Sequence, residues 1–384
     1  MSDLSNILSK EFFEFPLVNE TEDNFKKFIS INLDTYIEII GTLTDKDKKR
    51  ILNKVIFLSN SIKDSLAEYY NGLPHKAFAK LAKGMDSVKS ELKNVSQYYK
   101  LTNKNFYRAR LSEKELKREE MFHIPYEKRK LISNQRYSIA GFPCLYLGLT
   151  PYTCWEELDR PVPNNFTVSM VRLDEKVKIL NFAILPCEVN KGTNYYARTH
   201  FEEKLIESNY RNVLKSYIKC LPIIMACSVK VKDRKAPFRE EYIISQMITQ
   251  WVRLQGDIDG IQYYSTKTAT YSRRNSNLYK NIVIPTKETG SDKGYCRRLS
   301  ELITITDSVH CMGIDLFSED YNIDFSRIND KSNGLIDGNY VKEIKIKKGV
   351  KYAYGEKATA HYSSSGFMEI VNRLIDKELG NIRN

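Results

Sequence analysis

The amino-acid sequence predicts an α+β protein in which an all-helical N-terminal region precedes a mixed sheet domain. Two textures predict it. Between residues 21 and about 100, apolar side chains recur at threes and fours, the period of a helix with one buried face. From "NFYRARL" at 105 onward, short runs rich in aromatic and β-branched residues are separated by Gly, Pro and Asn clusters and alternate with longer helical patterns. At 384 residues the chain also exceeds the usual size of one domain. These features suggest a helical region at 1–104, a central α+β domain at 105–290, and an α/β extension at 291–384. The extension is read as part of the central domain, a lid, an added sheet edge or a small module.

The first helix is predicted from Phe25, Phe28, Ile29, Leu33, Tyr36, Ile37 and Ile40, with Thr21 as N-cap and Gly41 just past its end. The second places Thr44 at its cap, carries Ile51, Val55, Leu58, Ile62, Leu66 and Tyr69, and stops at "NGLP". The third begins near Pro74, a residue tolerated in a first turn, and carries Phe78, Leu81, Met85, Val88, Leu92 and Val95. All three stripes read as core. Farther on, "CLYLGL", "FTVSMVRL", "VKILNFAI", "DGIQYYST" and "NIVIPT" read as strands, and "FEEKLIESNYRNVLKSYIKCL" and "FREEYIISQMITQWVRLQG" as helices. The tail offers a helical "RRLSELITITDSV", a strand-like "YVKEIKIKKGVKYAYG" and a last amphipathic helix, "SGFMEIVNRLIDKEL".

Composition narrows the class. Hydrophobic residues at 42% and charged ones at 28% suit a globular protein rather than a disordered or fibrous one. Lysine and arginine outnumber aspartate and glutamate by 60 to 48, a net +12 that favours anionic partners. The surplus is dispersed, however: "TDKDKKR", "KVKDRK" and "YSRRNSNLYK" mix with acids or loop residues and read as solvated surface, which disfavours a nucleic-acid groove. The start lacks a basic segment followed by an apolar one, and no apolar run approaches a membrane span of roughly 18 residues. Seven cysteines form no CxxC and sit mostly in apolar contexts, so buried thiols in a reducing, cytoplasmic setting are expected, with no metal site.

The stretch "NQRYSIAGFPCLYLGLTPYTCWEEL", residues 134–158, carries the chemistry. "PCLYLG" is a strand, Thr150 an N-cap and Pro151 the first residue of a brief helix that ends before Pro161. Glu156 and Glu157 therefore lie just past a strand end. Cys154 and Glu157, three apart, share a face, which makes Glu157 the inward carboxylate and leaves Glu156 solvated, a secondary substrate contact. Arg136, Gly141, Tyr146, Cys154 and Glu157, followed by "DGIQYYS" ending in Ser265, resemble the RES domain family, named for an arginine, a glutamate and a serine. "FYRAR", "MFHIP" and "EEYIISQ" resemble its flanking segments. The likeness covers roughly 105–285. It departs where Tyr137 and Ser138 follow Arg136, and where Tyr264 precedes the serine.

The resemblance implies an ADP-ribosyltransferase-like fold and cleavage of NAD⁺, as substrate rather than cofactor, between nicotinamide and ribose, with water or phosphate as acceptor. It also implies a toxin or anti-phage effector with an antitoxin or regulatory protein as partner. Nicotinamide leaves as a neutral molecule, so a carboxylate beside the cationic ribose is the main requirement. That role falls to Glu157 in its ionised form. Arg136 offers a fork for the pyrophosphate, Tyr146 a ring or phenol for nicotinamide or ribose, and Ser265 a positioning hydroxyl. Arg108 and Arg110 alternate on one strand face, where one inward arginine would be a second phosphate or adenosine contact; facing solvent is the alternative. His123, which either lines a pocket mouth or is a structural loop histidine, and Gln246, on the helix before the serine strand, are further substrate-contact candidates. Transfer of ADP-ribose to a macromolecule is the competing reaction, and a non-enzymatic nucleic-acid-binding protein the competing class. Trp155, two positions before Glu157, stands where a transferase usually has an acid. The N-terminal helices are expected to regulate or oligomerise the chain.

Overall fold

A computed structural model describes residues 4, 7–8, 14–22, 24–99, 105–189, 203–267, 275–288, 293–321, 323, 335–346 and 349–382. Part of the "YSRRNSNLYK" run falls outside them. In chain order the elements are α1 (Phe25–Gly41), α2 (Lys48–Tyr70), α3 (Pro74–Tyr98), β1 (Phe106–Arg110), α4 (Arg118–Met121), β2 (Cys144–Gly148), α5 (Pro151–Glu157), β3 (Thr167–Leu173), β4 (Ile179–Asn181), α6 (Glu203–Cys227), α7 (Ile243–Leu254), β5 (Gly260–Tyr264), β6 (Lys280–Pro285), α8 (Arg297–Leu302), β7 (Ile303–Ile305), β8 (Val309–His310), β9 (Leu335–Ile346), β10 (Gly349–His361), α9 (Gly366–Ile375) and β11 (Gly380–Asn381). The protein is α+β, with a helical region ahead of a sheet with helices.

The chain divides into two units, and neither is continuous in sequence. The first comprises Met1–Lys100, Asn134–Ile139 and Ile179–Ile261; the second comprises Leu101–Ser133, Ala140–Lys178 and Gln262–Asn384. A single boundary near 105 does not describe this partition. The reason is packing: the apolar faces of α2 and α3 are covered by α6 and α7, so helices from the middle of the chain complete the N-terminal core.

Within the first unit, Leu58, Ile62, Leu66, Leu81, Met85 and Val88 are fully buried. Gly84 lets α2 and α3 approach closely, since a β-carbon there would stand 2.7 Å from the Ser61 β-carbon. Tyr36 Oη donates to the Ile218 carbonyl at 2.7 Å and Trp251 Nε1 to Asp86 Oδ1 at 2.9 Å, so buried polar groups join the helices too. The caps differ from expectation. Asn24, not Thr21, caps α1, its Oδ1 accepting from the Lys27 amide at 2.8 Å, and Gly41 is the last helical residue. α2 begins after Asp47 rather than at Thr44. Removing residues 1–100 would strip α1–α3 from α6 and α7 inside one core. The 105–384 fragment is therefore expected to be insoluble or molten, checked by expression and circular dichroism, and a soluble, cooperatively unfolding fragment would contradict this packing.

The second unit is built on a sheet in which β11, β7, β3, β1, β2, β6 and β5 are successive neighbours and β8 also pairs with β3. The registers of β1 with β2 and β3, β2 with β6, β3 with β7 and β8, and β7 with β11 are antiparallel. The tail supplies sheet edge: the stretch read as one helix from 297 stops at Leu302, and Ile303 and Ile305 turn inward on a strand paired with β3. Alternation of Ile303, Thr304 and Ile305 is the period of a strand, which outweighs the helical pattern before it. β9 and β10 pair as a separate two-stranded sheet. α9 packs on α5, with the Phe367 ring 5.3 Å from Tyr152 and 5.6 Å from Trp155.

Candidate functional site

The site of the second unit forms where β2 ends, β6 begins and β5 ends. Thr150 caps α5 as expected, its Oγ1 accepting from the Thr153 amide at 3.0 Å, and Pro151 takes the first turn. Thr153 Oγ1 donates to the Leu278 carbonyl at 2.8 Å and Cys154 Sγ to that of Tyr107 at 3.3 Å, which ties the helix to neighbouring chain on two sides. Gly148 permits the tight turn, because a β-carbon there would meet Cys154 Sγ at 2.7 Å. The short helix is thus fixed in position by its own sequence and by close contact.

Glu157, half-buried at the end of α5, accepts from Asn281 Nδ2 at 2.7 Å on Oε1; Oε2 has no hydrogen-bond partner among the described residues. Lys267 Nζ donates to the Glu157 carbonyl at 2.6 Å and to Asp159 Oδ1 at 2.7 Å. The same lysine's amide donates to Ser265 Oγ at 3.4 Å, and the Ser265 amide to the Tyr279 carbonyl at 2.7 Å. One lysine therefore links the predicted glutamate to the predicted serine, whose side chain is buried. Asn281 and Lys267 are not among the residues that the sequence motifs point to. A polar residue at the head of the apolar run "NIVIP" was the available signal for the first, and a lysine two past the serine for the second.

Glu156 is corrected from a solvated residue to a buried one, 5% exposed. Asp159 and Arg160 adopt φ of 60° and 59°, a left-handed pair that costs on the order of 1–2 kcal/mol per residue and folds Arg160 back over the helix. Arg160 then grips Glu156 with Nη2 to Oε1 at 2.9 Å and Nε to Oε2 at 3.2 Å, and lies over Trp155. Glu156 is thereby committed to the fold.

Tyr146 sits half-buried in β2 opposite Val283. Its carbonyl accepts from Arg108 Nη1 at 2.9 Å, and Arg110 Nη2 donates to the Phe122 carbonyl at 2.9 Å. Neither arginine is solvent-facing, and neither ends in a salt bridge among the described residues; the Nε of each is buried without a partner there. Burial, then the like charge of Arg110, pushes Arg108 down to about 9. Cys154 lies within the fields of both Arg108 and Glu157, and burial pushes its thiol up to about 12, so it is inert.

His123 does not line a pocket mouth. It is fully buried, Nδ1–H donating to the Ile124 carbonyl at 2.8 Å and Nε2 accepting from the Cys296 amide at 2.9 Å, so both nitrogens serve the fold as a neutral ring. Burial, with lesser help from Arg108 and Arg110, holds it down to about 4. Between that value and the ordinary 6.5 the unfolded chain binds a proton that the folded chain refuses. The contribution of His123 to stability is accordingly complete above about pH 6.5 and is lost, at a limiting slope of about 1.4 kcal/mol per unit, as pH drops toward 4. Urea unfolding at pH 7 and 5.5 should show this loss, and a His123→Gln variant should lack most of it.

Arg136 and Gln246 belong to the first unit. The Gln135 and Ser138 main chains bond reciprocally in a turn, and Gln246 Nε2 donates to their carbonyls at 2.9 and 3.3 Å. Arg136, 8% exposed, donates to the Cys227 and Val229 carbonyls at 3.3 and 2.9 Å and lies over the Tyr242 ring. Its fork caps the end of α6 rather than standing open for a pyrophosphate, and Gln246 positions the turn that carries it. The family-like block beginning at Arg136 is thus shared between units, with Gly141, Tyr146, Cys154 and Glu157 in the second.

Among the described residues no group of His, Cys, Asp and Glu could hold a metal ion, and no helix is long and apolar enough to cross a membrane. The chain is 34% identical over 319 residues to a Bacillus subtilis (strain 168) protein described as "Putative toxin YopC", covering 80% of this chain and 70% of that protein. No family model matches the chain. No solved structure matches it either.

Proposed function

The chain belongs to the family of that Bacillus subtilis protein, and from this premise we propose that it is a toxin that depletes NAD⁺ by breaking the bond between nicotinamide and ribose. The observation that supports this reading best is the carboxylate of Glu157, clamped on one oxygen by Asn281, with its other oxygen uncommitted among the described residues. In the reaction proposed, the C–N bond breaks, its electron pair leaves with neutral nicotinamide, and the cationic ribose carbon is stabilised by Glu157. Water adds to that carbon and releases a proton, giving ADP-ribose; phosphate in its place gives ADP-ribose phosphate.

Each neighbour has a role in this reading. Asn281 and Lys267 hold Glu157 in place through its side chain and its carbonyl. The Ser265 hydroxyl, which accepts from the Lys267 amide, keeps a proton to donate to a ribose oxygen. Tyr146 offers its ring to nicotinamide. The phosphate contact assigned by sequence to Arg136 passes to Arg108, which has a buried Nε without a partner among the described residues and no paired acid. Trp155 favours hydrolysis or phosphorolysis over transfer to a macromolecule, because this position holds a buried indole donating to the Pro161 carbonyl at 2.8 Å instead of an acid. A toxin of this kind calls for an antitoxin or regulatory protein as partner.

Incubation of the purified chain with NAD⁺ should release nicotinamide, detected by liquid chromatography, and the mass of the second product identifies the acceptor. An unchanged NAD⁺ pool, with and without phosphate, would remove this reading.

A further inference from the structure

A cleft of about 300 Å³ opens in the first unit between α2, α3 and α6, and the NAD⁺ reading gives it no part. Its volume is at the lower end of small-molecule sites. Lys219 lines it with a side chain only 10% exposed. The ammonium has one partner among the described residues, Glu91 Oε1 at 3.3 Å, which is long for a charged hydrogen bond. An ammonium carries three donors, so two N–H groups of a buried cation are left over. Leaving them dry and unpaired is costly.

The acids of the cleft, in contrast, are already engaged. Glu91 Oε2 accepts from Ser90 Oγ at 2.8 Å, and Asp47 pairs with Lys215. Ser216 Oγ, also buried, accepts from Asn94 Nδ2 at 3.0 Å and keeps its own proton. Arg50, exposed at the rim, has no partner among the described residues. Asp47 stands at the N-cap of the 23-residue α2 without making a side-chain cap bond; the Lys48 amide donates to the Asp45 carbonyl and the Ile51 amide to that of Asp47, which leaves the Lys49 and Arg50 amides as donors at the same wall among the described residues. The lining cations Arg50, Lys215 and Lys219 outnumber the lining acids Asp47 and Glu91.

We propose that this cleft binds a small phosphate-bearing molecule, its phosphate seated on Lys219, Ser216 and the start of α2, with Arg50 closing the rim. The "TDKDKKR" run, read from sequence as plain solvated surface, supplies part of that wall. Isothermal titration of the full chain with inorganic phosphate, pyrophosphate and AMP at matched ionic strength tests it. Saturable binding of at least one probe is expected; tighter AMP than phosphate would identify a nucleotide, and equal binding of all three a bare phosphate site. Lys219→Met should abolish binding, and Arg50→Ala should weaken it about tenfold. Because Arg50 is exposed, its variant should unfold like the parent and so remains informative if Lys219→Met fails to fold. Absence of saturable binding by all three probes, or affinities unchanged in Arg50→Ala, would overturn the proposal.

Discussion

Replacing Glu157 by glutamine should lower NAD⁺ turnover by about a hundred- to a thousandfold, the usual cost of removing one group aimed at transition-state charge. The amide keeps the shape of the carboxylate, and its oxygen can still accept from Asn281, whose Nδ2 lies 2.7 Å from Glu157 Oε1. Thr150, Thr153 and Cys154 anchor α5 independently of residue 157, so the thermal midpoint should stay within about a degree of the parent's. The loss should fall mainly on kcat, because the charge of Glu157 matters when the ribose becomes cationic and matters less for the neutral sugar. Steady-state kinetics beside a melting curve reads both quantities. Parent-like turnover in a folded Glu157→Gln protein would end the assignment of this carboxylate.

Arg136→Ala should behave in the opposite way, costing about 3 kcal/mol of stability in the helical unit. The guanidinium is buried and supplies donors to two carbonyls, those of Cys227 and Val229, at the end of α6. Hydrogen bonds from a charged group contribute about 1.5–3 kcal/mol each, and carbonyls left buried without a donor carry a similar penalty. The stack on Tyr242 is lost as well. Any fall in activity should then track the folded fraction and be recovered at lower temperature. Were Arg136 the pyrophosphate contact that its motif suggests, the variant would unfold like the parent and show a raised KM. Urea unfolding and Michaelis kinetics on one preparation separate the two outcomes.

These two residues show how far the sequence reaches. The helical stripes of α1 to α3, the Thr150 cap and the Pro151 start of α5 follow from neighbours within a few positions, and all are present. The helical reading from 297 runs on past Leu302 because Leu299, Leu302 and Ile303 keep helical spacing and three alternating residues are too short a signal, whereas pairing with β3 settles the conformation of Ile303 and Ile305. Glu156 and Glu157 were told apart by helical phase alone. Phase does not anticipate the left-handed turn at Asp159 and Arg160, which returns a cation to Glu156 and buries it.

Periodicity, capping and the order of motif residues are local properties, and the chain carries them in its own spelling: an α+β protein with a carboxylate just past a strand end and a hydroxyl at the close of another. Which donors meet which acceptors is decided between segments far apart in the chain, 124 positions for Glu157 and Asn281 and 93 for Arg136 and Val229. Burial sets the value of those meetings, because a guanidinium or imidazole removed from water must satisfy its nitrogens with whatever the folded chain presents. For Arg136 and His123 that demand is met by backbone groups, and only packing could reveal it.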